Sequence, residues 1–86
     1  MGRYSIEFAK SVRKDLKKIA NRDVKRILKA VQRLAADPRP SSSKKLVGEE
    51  LYRIRVGVYR VIYEIHDGRL VIVIVKAGHR KGIHRN

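Results

Sequence analysis

The sequence predicts an α+β fold: an N-terminal strand, a helical hairpin, then a three-stranded antiparallel sheet. Apolar residues recur at helical spacing through residues 9–35 and alternate with polar ones through residues 52–56. Two tight-turn pairs, Gly57-Val58 and Asp67-Gly68, divide the C-terminal part into three runs. The 86 residues read as one small domain, 1–86.

Residues 3–8, Arg-Tyr-Ser-Ile-Glu-Phe, alternate and predict a short strand with Tyr4, Ile6 and Phe8 inward. A helix is expected from about Ala9 to Ala20, with Phe8, Val12, Leu16 and Ile19 as its apolar stripe. Lys10, Arg13, Lys14, Lys17 and Lys18 fall on its other side. Asn21 is a suitable cap for a second helix, and Asp23 in its first turn favours the dipole. Val24, Ile27, Leu28, Val31, Leu34 and Ala35 repeat at helical spacing until Asp37-Pro38 ends the run. Residues 38–45 read as a polar connector, too short to link domains.

In the next run, Arg53 and Arg55 share one strand face while Tyr52, Ile54 and Val56 take the other. A two-residue turn at Gly57-Val58, glycine first, suits a type II′ hairpin and pairs Val56 with Tyr59 and Arg55 with Arg60. Arg53, Arg55 and Arg60 then lie together, although like charges placed opposite each other weaken a sheet. Asp67-Gly68 suggests a type I′ turn that pairs His66 with Arg69, Tyr63 with Ile72 and Arg60 with Val75. The third strand, Leu70 to Val75, is apolar on both faces, so Val71, Val73 and Val75 are expected as an apolar floor beside the arginines.

Lys and Arg number 22 against 8 acids, a net charge of +14. Such a field favours a polyanionic partner, nucleic acid first. The helices are basic and amphipathic, but their apolar sides are aliphatic and lack Trp, so they are read as core stripes and no membrane partner is expected. With no cysteine there is no disulfide and no thiolate metal site. No export signal or spanning segment is read, which makes a cytoplasmic location the expectation. Residues 68–86 hold Arg69, Lys76, Arg80, Lys81 and Arg85 with no acid, so the histidines His66, His79 and His84 are not read as metal ligands, and no cofactor is expected.

What remains is a basic constellation of Lys44, Lys45, Arg53, Arg55, Arg60, Arg80 and His84. Two readings stay open on these residues. One is a phosphate-binding face without chemistry. The other is metal-independent RNA cleavage, in which the 2′-hydroxyl is the nucleophile, arginines stabilise the transition state, and His84 or a lysine moves the proton.

The run Leu-Tyr-Arg-Ile-Arg-Val-Gly-Val-Tyr-Arg-Val-Ile-Tyr-Glu-Ile, residues 51–65, and Gly-His-Arg-Lys-Gly-Ile-His-Arg, residues 78–85, closely resemble the RelE/ParE superfamily of toxin–antitoxin toxins, RelE more than ParE. The resemblance covers essentially the whole chain and includes the Lys45-Leu46 lead-in. It implies a type II toxin that cleaves mRNA in the ribosomal A site without a metal and is held inactive by a cognate acidic antitoxin. It further implies Arg60 and Arg80 as catalytic arginines, with His84 where the family commonly has a tail tyrosine. Arg53 and Arg55 fall where the family often has basic residues gripping RNA and ribosomal phosphate. A lysine base is often proposed near there, and Lys45 is taken as the catalytic candidate in its place, with Lys44, Lys81 and Arg85 added to the phosphate-binding set from the basic constellation and tail of this sequence. Two alternatives stand beside this one: a ParE-like DNA gyrase inhibitor and a weakly catalytic, basic RNA-binding module.

Overall fold

A computed structural model describes residues 3–48 and 50–79. Its elements are β1 (Ser5–Phe8), α1 (Lys10–Lys17), α2 (Asn21–Leu34), β2 (Lys44–Lys45), β3 (Tyr52–Val56), β4 (Tyr59–His66) and β5 (Val71–His79). The expected order of strand, helical hairpin and antiparallel strands is present, but the sheet has five strands, in the order β1-β5-β4-β3-β2. Two strands were added by pairings that no local pattern specifies. β1 runs parallel to β5, with Ile6 beside Ile72 and Phe8 beside Ile74. Lys44-Lys45, read from the sequence as connector, forms an edge strand against Arg53 and Tyr52.

The helices cover one face of the sheet. Val12 of α1 and Ile27, Val31 and Leu34 of α2 close onto Ile54, Val61, Tyr63, Ile72, Ile74 and Ala77, all buried. Helix α1 is shorter than expected: Phe8 stays in β1 and Ala9 caps the helix. Asn21 is the first residue of α2 rather than its cap, since Ala20 holds the extended cap position. The buried Tyr63 donates its hydroxyl to the Pro38 carbonyl at 2.8 Å and stacks beside Tyr52 at 5.9 Å, which anchors the connector to the sheet. The turn after β4 is tied to the same connector, because Asp67 accepts from both Arg39 and Tyr4.

The first hairpin has the expected register, Val56 opposite Tyr59 and Arg55 opposite Arg60. Gly57 supplies the positive φ of +61° that the turn requires. The second hairpin does not. Neither Asp67 nor Gly68 has positive φ. Leu70 does instead, at 54°, and four residues separate His66 from its partner Val71. A bulge follows, with Tyr63 opposite Ile74, Ile62 opposite Lys76, and Val75 left between them as the extra residue. The longer turn puts Tyr63 opposite Ile74 instead of Ile72, and the bulge adds one residue more, so that Arg60 faces Gly78 instead of Val75.

Candidate functional site

The sheet face away from the helices is where the basic side chains gather. Directly opposed residues share a face, so pairing alone places them. One transverse row is Lys44–Arg53–Ile62–Lys76 and the next is Arg55–Arg60–Gly78. Lys44, Arg53, Arg55 and Arg60 are therefore brought onto one surface by three strands. Lys76 joins them, a residue the sequence reading missed because the bulge at Val75 shifts its register. β5 ends at the same corner: Arg60 is opposite Gly78, next to its last residue, His79.

The centre of this face is partly desolvated. Arg53 and Arg60 are half-buried, and Arg53 Nη1 and Arg60 Nε are buried with no hydrogen-bond partner. Burial, then the charges of Arg55 and Arg60, pulls the Arg53 guanidinium below its ordinary pKa. Buried guanidinium N–H groups without acceptors are costly, and an anion bound between them would relieve that. Ile62 and Val71 are buried here, and Val73 is partly so, although none belongs to the helix-side core. An apolar floor is thus present, but Val71 and Val73 lie toward β1, where Glu7 and Glu64 flank Val73, and Val75 is the bulge residue.

Lys45 lies apart from this surface. It is opposite Tyr52, on the helix side of the sheet, and its ammonium contacts Glu50 at 3.1 Å. That carboxylate raises the Lys45 pKa, which keeps the proton on and disfavours a role as base. Lys44, its neighbour, is the lysine of β2 that faces Arg53. Arg80, Lys81, His84 and Arg85 lie outside the described residues. Among the described residues no group of three or more His, Cys, Asp or Glu side chains is placed to hold a metal ion, and no helix is long and apolar enough to cross a membrane.

The chain is similar to known proteins over nearly its whole length. Residues 6–83 match the family model for the ParE toxin of type II toxin–antitoxin systems. It is 32% identical to a putative toxin RelE1 of Methanocaldococcus jannaschii, covering 98% of each chain. It is 33% identical to toxin RelG of Mycobacterium tuberculosis, over 95% of this chain and 97% of that one. It superimposes on an archaeal RelE–RelB complex from Pyrococcus horikoshii with a TM-score of 0.80 at 32% identity, covering 93% of this chain and 98% of that chain. With a family match across residues 6–83, a relative 32% identical over nearly the whole chain and a superposition at a TM-score of 0.80, this chain belongs to the ParE toxin family of type II toxin–antitoxin systems, within the RelE/ParE superfamily.

Proposed function

We propose that this toxin is a ribosome-dependent, metal-independent mRNA endoribonuclease and that the Lys44–Arg53–Arg55–Arg60 face receives the scissile phosphodiester. The observation that carries the reading is the pair of buried, unpartnered guanidinium nitrogens on Arg53 and Arg60, which suit an incoming phosphate. In this reaction the RNA 2′-hydroxyl attacks the adjacent phosphorus, the bond to the 5′ oxygen breaks, and a 2′,3′-cyclic phosphate and a 5′-hydroxyl result. The arginines oppose the charge that builds on the non-bridging oxygens. Arg60 and Arg80 are assigned that work, and His84, whose side-chain type titrates near neutrality, is assigned proton transfer. Lys44 replaces Lys45 as the lysine available to the face.

A cognate acidic antitoxin follows from the same surface. The RelE of the Pyrococcus complex is bound to RelB. An acidic partner laid over this face would cover the unpaired guanidiniums and the half-buried valines together.

The test is induction without a partner, with transcript 5′ ends mapped across the genome. The expected result is growth arrest with new ends inside translated codons. Arrest with unchanged messenger ends and induced DNA-damage signalling would move the assignment to a ParE-like gyrase inhibitor. Salt-steep RNA binding with neither toxicity nor cleavage would leave a basic RNA-binding module.

A further inference from the structure

A second cationic feature lies around the edge of the sheet from the arginine face. β2 covers only Arg53 and Tyr52 of β3, so the later part of β3 is an open edge. A cleft runs there between β3 and α2, rimmed by Arg26, Lys29 and Arg33 on one side and Arg55 on the other, with Ala30 and Val56 in its lining. A neighbouring hollow, also lined by Ala30, Arg33 and Arg55, prolongs it along Ile54. Spacings of three and four residues put Arg26, Lys29 and Arg33 on one side of the helix, over roughly 10 Å of its length.

Two details set this cleft apart from a generally basic surface. Arg55 lines it and also stands opposite Arg60, so the cleft and the arginine face share a residue. Gly57 leaves room for the Arg26 guanidinium, since a Cβ there would lie 3.3 Å from Arg26 Nη2. Among the described residues Lys29, Arg33 and Arg55 form no ion pair; the nearby acids are Asp23, 3.7 Å from Arg26, and Asp37, which lines the neighbouring hollow with Arg33 and Arg55. No aromatic side chain lines the cleft, so it can hold phosphates but offers nothing for a base to stack on.

We infer that this α2–β3 cleft is a backbone track for the substrate strand itself, holding phosphates of single-stranded RNA that flank the scissile one as the strand passes Arg55 and turns around the open edge. The inference rests on the reading of the arginine face as an RNA site. It adds a sequence-independent grip at a distance from the reacting phosphate.

The experiment compares two triple variants of the full chain. Arg26→Gln, Lys29→Gln and Arg33→Gln neutralise the cleft. Lys10→Gln, Arg13→Gln and Lys17→Gln remove the same charge at the same spacing from exposed positions on α1. The probes are 2′-O-methyl oligouridylates of 3 and 12 nucleotides, which lack the nucleophile, titrated over a range of salt. The α2 triple should bind the longer probe at least tenfold more weakly, with the log–log salt slope reduced by about 2, at about 0.7 per lost phosphate contact. Its binding of the short probe should be unchanged, and the α1 triple should keep the parental slope. Equal losses in both triples would mean a diffuse field and would overturn the track. So would no loss in either. A defect confined to ribosome binding would also overturn it, by assigning the cleft to ribosomal RNA. Circular dichroism melts of both triples separate these outcomes from misfolding. Because binding is read without cleavage, failure here leaves the transcript mapping to decide the nuclease reading independently.

Discussion

Arg53 and Arg60 are the residues on which the proposed phosphate site rests, and each keeps a buried nitrogen without a hydrogen-bond partner. A charge aimed at a developing oxyanion contributes a few kcal/mol. Arg60→Ala should therefore lower the rate of ribosome-dependent mRNA cleavage by more than about tenfold while the melting temperature holds, since its removal also relieves a buried unpaired group. His84→Tyr separates two roles for the tail: cleavage retained means stacking suffices, and cleavage lost means the imidazole moves a proton. A third residue, Tyr63, governs stability. Burial pushes its phenol up to about 12 from the ordinary 10.0. The folded state holds this proton more tightly than the unfolded chain, so the contribution is full below pH 10 and is lost as pH rises through about 12. Chemical denaturation should show stability falling across that window. Tyr63→Phe should remove that part of the pH dependence and cost about 1 kcal/mol at neutral pH through the lost bond to Pro38.

Among the elements, the two hairpins differ in how well their local residues suit them. The β3–β4 turn has glycine where positive φ is needed. The β4–β5 turn puts Leu70 in that region, where a side chain costs about 1 kcal/mol or more. The conformation is retained because the Leu70 carbonyl accepts from Ser5 N–H at 2.8 Å, which starts the parallel β1–β5 pairing. Leu70→Asn should raise stability by about 0.5 kcal/mol in urea titration, because asparagine tolerates this region and the leucine side chain is 41% exposed. A drop in stability would show that the leucine side chain is packed. The bulge at Val75 acts on the site directly. It brings Lys76 opposite Ile62 and Gly78 opposite Arg60, so the strand that carries the tail ends at the arginine pair.

At the scale of the molecule, five acids among the described residues are committed to internal ties. Asp15 accepts from the Ala77 amide, Asp23 from Tyr59, and Asp67 from Arg39 and Tyr4. Glu50 pairs with Lys45, and Glu64 with His66. These ties hold five carboxylates away from Arg53, Arg55 and Arg60, none of which forms an ion pair among the described residues. A protein in this condition is stabilised by any anion that binds only its folded form. Phosphate should therefore raise the melting temperature more than chloride at equal ionic strength, and the difference should shrink in an Arg53→Gln, Arg60→Gln double variant. An undiminished difference would place the anion elsewhere.

The amino-acid sequence by itself determined the composition of the two faces of β3 and the register of the first hairpin. Alternation from Tyr52 to Val56 and a two-residue glycine turn are local, and together they force Arg55 opposite Arg60. Tertiary structure decided the rest: that Lys44 rather than Lys45 faces the arginines, that β1 and β2 complete a five-stranded sheet, and that Gly78 rather than Val75 meets Arg60. Those outcomes depend on strands far apart in the chain, on a bulge in an unbroken apolar run and on a leucine held at positive φ by its neighbour strand. A one-residue change in register moves a side chain to the opposite face, so only the assembled sheet could choose between adjacent lysines.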